Sequence, residues 1–124
     1  MPADRVTVVY ADDHSRYRTA LLRDLVDDPR LDLRAIAIDS EAVVRAVERH
    51  HPDVVLVDAA IAAAAVGAGG VTGTAALASA DHLALLSLDP VDGDAIGAEL
   101  VIRKATSSHR ICDALVALGG RALV

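Results

Sequence analysis

Apolar and polar positions along the chain alternate between two periods. Arg5 to Tyr10 (RVTVVY) is β-branched and nearly continuous, the pattern of a strand covered on both faces, and it reads as a central strand. From Ser15 to Val26 the period lengthens. Tyr17, Leu21, Leu22 and Leu25 fall at helical spacing, and Asp27, Asp28 and Pro29 end the run. Leu31 to Ile38 (LDLRAIAI) alternates like a strand, after which Asp39 or Ser40 caps a helix carrying Val43, Val44 and Val47 that stops at His50, His51 and Pro52. Asp53 to Asp58 (DVVLVD) is a third strand, apolar up to its terminal carboxylate.

Ala59 to Ala80 carries mixed signals. Ala62 to Ala65 favour helix, whereas Gly67, Gly69, Gly70 and Gly73 oppose it, so the segment predicts an irregular loop and then a helix from about Thr74. His82 to Leu88 (HLALLSL) is a fourth strand, Leu100 to Arg103 a short fifth, and Ser107 to Leu118 an amphipathic closing helix. Five βα units in succession define an α/β class, a parallel sheet with helices on both faces.

Composition narrows this picture. A chain of 124 residues holds one ordinary core, so residues 1–124 are expected to be a single domain. Two Tyr, no Phe and no Trp leave that core to small aliphatic side chains. A formal charge of −6 argues against direct nucleic-acid binding, which needs a basic face. Cys112 is the only cysteine, which excludes an intrachain disulfide and fits a reducing cytosol. The N-terminus has no apolar stretch of signal-peptide length, and the Ala-rich run from Ala59 to Ala68 is too short to span a bilayer, so a soluble cytoplasmic protein with no membrane partner is expected.

In an open parallel sheet, ligands sit beyond the carboxyl ends of the strands. Asp12 and Asp13 follow strand one, Asp58 ends strand three, Ser87 ends strand four and Lys104 follows strand five, all on that edge. Converging carboxylates repel unless a cation joins them, and such hard oxygen ligands suit Mg²⁺. A lysine adds a point charge for a second anion and a hydroxyl adds a hydrogen bond. The set is suited to phosphoryl transfer onto a carboxylate.

The strings VVYADDH, HPDVVLVD, ALLS and VIRK, in that order on those strand ends, resemble the receiver domains of two-component response regulators. Ser15 to Val26, the DDPRLDL turn, HHPDVVLVD and the Ala after Lys104 are most similar to receivers of LuxR-type helix-turn-helix regulators. The resemblance implies a flavodoxin-like (βα)5 doubly wound parallel sheet of strand order 2-1-3-4-5. It implies Asp58 as phosphoacceptor, Asp13 as a direct Mg²⁺ ligand, Asp12 as a ligand through water, and the Ala60 carbonyl as a further metal contact. Lys104 would pair with the phosphoryl group and Ser87 would bond to it after transfer. The implied partner is a sensor histidine kinase, and the role is that of a switch and not an enzyme. The output would be dimerisation or exposure of a C-terminal DNA-binding domain, which is expected beyond the GG pair at Gly119 and Gly120 and is absent from this chain.

Three departures from the family pattern support an alternative. The Pro and turn that usually follow the phosphoacceptor are replaced by AAIAAAAVGAGGVTG, Val101 stands where a switching aromatic is usual, and the Ser87 to Lys104 connection leaves room for at most a shortened fourth helix. A receiver-like module regulated by a ligand or partner protein would share all three. A flavodoxin-like enzyme or cofactor binder lacks both a phosphate-cradling loop and ring-stacking aromatics. Each residue also has a plainer reading. Asp12 and Asp13 suit a helix-capping loop, Asp58 a turn and Lys104 a solvated surface, and His14, whose place beside the acidic pair could bring it to the metal, suits a solvated helix start better. His50 and His51 complement a helix dipole, and Cys112 fills a core. The glycine cluster is a loop without the Gly-Lys-Ser/Thr of a phosphate-binding turn.

Overall fold

In the computed structural model, which describes residues 5–65, 67, 77, 79–88 and 98–120, five parallel strands form one sheet in the order β2-β1-β3-β4-β5. The strands are β1 (Val6–Ala11), β2 (Leu31–Ala37), β3 (Val54–Asp58), β4 (His82–Ser87) and β5 (Leu100–Arg103). They alternate with α1 (Ser15–Asp27), α2 (Ser40–His50) and α3, described over 59–65, and the chain closes with α4 (Ser108–Gly119). The expected fold class and strand order are borne out. The shortened fourth helix between β4 and β5 falls on residues 89–97 and lies outside the described residues, as does the start of the helix expected from about Thr74.

One expectation changes. The residues after Asp58 are helical at once, over 59–65, where an irregular loop was predicted. Four consecutive alanines at 62–65 carry the highest helix propensity, and the first glycine of the cluster comes only at Gly67. Local propensity therefore wins over these residues, and Gly67 is itself helical.

Strand parity sorts the core into two layers. Val6, Val8 and Tyr10 of β1 pack with Leu21, Leu25, Leu56, Leu86, Ile111 and Leu115 beneath α1 and α4. Val9 and Ala11 pack with Val43, Val47, Val55, Val57, Ala62 and Leu85 against α2 and α3. Side chains at i and i+2 share a face of a strand, so each face stays uniform along its length. At the strand amino ends α4 comes close to the sheet. A Cβ built on Gly119 would lie 2.6 Å from Val6 Cγ1 and 2.7 Å from Val54 Cγ2, so only glycine fits there without displacement. Asp39 caps α2 by accepting the Ala42 N–H at 2.8 Å, as its sequence position predicts. Among the described residues no helix is long and apolar enough to cross a membrane.

Candidate functional site

The same parity continues past the strand ends and delivers the site. Asp12 lies two residues after Tyr10, and its N–H still bonds the Ala37 carbonyl at 3.1 Å, so β1 geometry persists and Asp12 falls on the Tyr10 face. Asp58 follows Leu56 on that face, and Lys104 follows Ile102, its N–H bonded to the Ser87 carbonyl at 2.8 Å. Asp12 is fully buried, while Asp58 and Lys104 are buried to within a few per cent.

These three form one ion cluster. Lys104 Nζ lies 2.9 Å from Asp12 Oδ2 and 2.9 Å from Asp58 Oδ1. It also donates to Asp12 Oδ1 at 3.1 Å and lies 3.0 Å from His14 Nδ1. Asp12 is held further by the His14 N–H on Oδ1 at 2.9 Å and by the Tyr10 hydroxyl on Oδ2 at 3.2 Å. Burial alone would push the Asp12 carboxyl up, but the His14 N–H and the Lys104 ammonium outweigh it and hold the carboxyl below its ordinary range. The Tyr10 phenol moves upward, through burial first and then the Asp12 charge. The Tyr17 ring stacks on the ammonium, its centroid 4.8 Å from Lys104 Nζ, and burial together with Asp12 pushes its phenol up to about 12.

Asp58 is gripped from both sides. Lys104 pairs with Oδ1, and the Ala60 N–H donates to Oδ2 at 3.1 Å. Because 59–65 is helical, Asp58 stands at the amino end of α3, where free N–H groups and the helix dipole favour negative charge. Ala60, the residue whose carbonyl was expected to contact a metal, turns its N–H to Asp58.

Asp13, expected as a direct Mg²⁺ ligand, stands at the rim of the site. Its side chain is 57% exposed and its Oδ1 lies 3.3 Å from His14 Nδ1, whereas the buried position belongs to Asp12. Ser87 is buried at the end of β4, beside Leu86, which pairs with Asp58, and on the Leu83 and Leu85 parity. Val101 packs partly buried against the α2 and α3 layer, with no ring on that part of β5.

Sequence reasoning missed two contributors and ranked a third low. His14, beside the acidic pair and expected chiefly at a solvated helix start, turns Nδ1 toward Asp12 and Lys104 although its side chain is 54% exposed. Tyr10 was legible only as core, yet counting two residues onward from it reaches Asp12. Arg18, one turn into α1, donates to the Asp12 carbonyl at 3.0 Å, which no spacing announces.

The residues present fit a divalent cation. Asp12, His14 and Asp58 offer ligand atoms that all lie within 4.8 Å of one another. Two buried carboxylates share a single ammonium, so the buried set keeps one negative charge uncompensated, a costly state that a bound cation relieves.

A five-stranded parallel sheet in this order is the fold of response-regulator receiver domains. The signal receiver domain of the response regulator NarL from Mycobacterium tuberculosis superposes with a TM-score of 0.74 over 94% of this chain and 97% of that one, at 23% identity. A two-component response regulator of the LuxR family from Aurantimonas sp. SI85-9A1 gives 0.73 over 93% of this chain and 85% of that one, at 20% identity. In sequence, the chain is 34% identical over 55 residues to the transcriptional regulatory protein DegU of Brevibacillus brevis, a match spanning 44% of this chain and 23% of DegU. No family profile matches the chain.

Proposed function

We propose that the chain is the phosphorylation switch of a two-component regulator, taking a phosphoryl group onto Asp58. The observation that carries this is the double grip on a buried carboxylate: the Lys104 ammonium on Oδ1 and the Ala60 N–H on Oδ2. A carboxylate oxygen of Asp58 forms a bond to phosphorus as the donor's P–N or P–O bond breaks, giving an acyl phosphate. The phosphoryl oxygens bring further negative charge, which Lys104 and the amino end of α3 accept. Ser87, at the end of the neighbouring strand, supplies a hydroxyl to the transferred group.

Asp12, Asp13 and Asp58 would hold a divalent cation, Mg²⁺ as the abundant hard ion, which would supply charge neutralisation during transfer. Asp12 keeps a fixed charge for it because the Tyr10 hydroxyl and the His14 N–H position both carboxylate oxygens. The phosphodonor is a phosphohistidine on a sensor histidine kinase. The output is transcriptional control, as the name of the DegU relative suggests, through protein contacts, since a formal charge of −6 disfavours binding to a phosphate backbone.

Incubation with acetyl phosphate and Mg²⁺ should phosphorylate the protein, and Asp58→Asn should abolish incorporation, as read by intact-protein mass. A second reading is favoured by the same Ala60 contact: Asp58 is a helix cap in a receiver-like module controlled by ligand or protein binding. Failure of both acetyl phosphate and beryllofluoride to modify or shift the protein would select that reading.

A further inference from the structure

Lys104 is the chain's only lysine, and every other fixed side-chain cation is an arginine. Its ammonium sits between competing anchors: Asp58 Oδ1 and Asp12 Oδ2 each lie 2.9 Å away, with Asp12 Oδ1 at 3.1 Å and His14 Nδ1 at 3.0 Å. Asp12 thus offers it two oxygens where Asp58 offers one. A point charge on a flexible four-carbon stem is not held in one place by such contacts alone. The Tyr17 ring supplies a further constraint, its centroid 4.8 Å from Lys104 Nζ. That ring is itself fixed. The His14 N–H on Asp12 Oδ1 at 2.9 Å and Arg18 Nη1 on the Asp12 carbonyl at 3.0 Å tie the first turn of α1 to the end of β1, and Tyr17 packs against the core layer beneath α1 and α4. The Tyr17 hydroxyl is buried and bonds nothing among the described residues, so the ring face is the part of this side chain that the site uses.

We propose that Tyr17 is a positioning residue for phosphoryl transfer: the face of its ring holds the Lys104 ammonium against Asp58, and its hydroxyl takes no part. This role rests on Asp58 being the phosphoacceptor. An aromatic face attracts a cation without binding it to one acceptor atom. The ammonium can therefore exchange its Asp12 contacts for phosphoryl oxygens while staying against the ring, which a neighbour bonded to it through a hydrogen bond would resist. The ring also closes one side of the ammonium to water, in keeping with the 3% exposure of the Lys104 side chain.

Labelled lysine gives the readout, since only Lys104 carries it and its ε-methylene signal needs no assignment. A ring face shields atoms above it, so in proton–carbon correlation spectra of the intact chain that signal should lie upfield of its place in an unfolded peptide. Tyr17→Phe should keep the shift and, by removing an unpartnered buried hydroxyl, leave the melting temperature equal or higher. Tyr17→Leu should abolish the shift and lower the maximal rate of phosphorylation by acetyl phosphate and Mg²⁺ about tenfold, with the half-saturating acetyl phosphate concentration little changed. A role in packing alone would move the melting temperature and leave the rate as it is. An unshifted wild-type signal, a Tyr17→Leu rate equal to wild type, or a Tyr17→Phe rate as low as that of Tyr17→Leu would overturn the proposal, and the first of these needs no variant to fold. A wild-type protein that shows the shift but takes no phosphoryl group would instead sink Asp58 as phosphoacceptor, and the role in transfer with it, while leaving the ring's hold on Lys104 in place.

Discussion

Two places in the molecule carry the same stoichiometry of charge, two carboxylates around one basic side chain, in opposite surroundings. At one edge Arg30, half exposed, bonds Asp28 through Nε at 3.0 Å and through Nη2 at 2.8 Å, and reaches Asp113 at 2.8 Å. At the other edge Lys104, with 3% of its side chain exposed, binds Asp12 and Asp58. Water solvates the surplus negative charge around Arg30, so that cluster is complete as it stands. Around Lys104 no solvent does this, and the surplus makes the pocket receptive to a further cation. Environment, and not the count of charges, separates a surface brace from a candidate reaction site.

The largest expected effect comes from removing the central cation of each cluster in turn. Lys104→Met leaves two buried carboxylates facing each other and should cost about 3–5 kcal/mol in urea denaturation with chelator present. Arg30→Met should cost less than about 1 kcal/mol. Equal losses would dissolve the distinction between the clusters. Adding Mn²⁺ or Mg²⁺ should then restore much of the stability of the Lys104 variant, by about 2.7 kcal/mol at a hundred times Kd, and leave the Arg30 variant's deficit unchanged. A Lys104 variant that ignores both ions would place its cost in packing.

Tyr10→Phe tests how tightly the buried carboxylate is held. Loss of the hydroxyl bond to Asp12 should cost about 1.5 kcal/mol, read as a lower urea midpoint at unchanged slope. The smallest effect belongs to the exposed cluster in acid. Side-chain bonds from Arg30 hold the Asp28 carboxyl below its ordinary range despite some burial. A depressed folded value stabilises above the unfolded carboxylate range, and that contribution disappears as pH falls through the folded value. Asp28→Asn should therefore flatten the stability loss below about pH 4 and matter little once the pH lies below the folded value, a difference visible in melting curves taken across the acid range.

Most of the fold was legible because strand and helix periods are local properties. RVTVVY, DVVLVD and HLALLSL announce three central strands, and Asp39 three residues before Ala42 announces a cap. The region after Asp58 was misjudged because alanine propensity and glycine breakers compete within a few residues, and their order along the chain decided the outcome. Asp12, Asp58 and Lys104 could be assigned to one edge from sequence, since each follows a strand.

Their fates within the edge could not be assigned. Asp12 and Asp13 are identical in type and adjacent, yet one continues the buried parity of β1 while the other turns to solvent. Residue type and spacing thus determined a parallel α/β sheet with an acidic, lysine-bearing edge. The tertiary structure decided which carboxylate is buried, that His14 joins it, and that Ala60 offers its N–H. Those outcomes depend on how far strand geometry runs past the last sheet bond and on where the next helix begins, and both are settled only when β1, β3, β4 and β5 stand side by side.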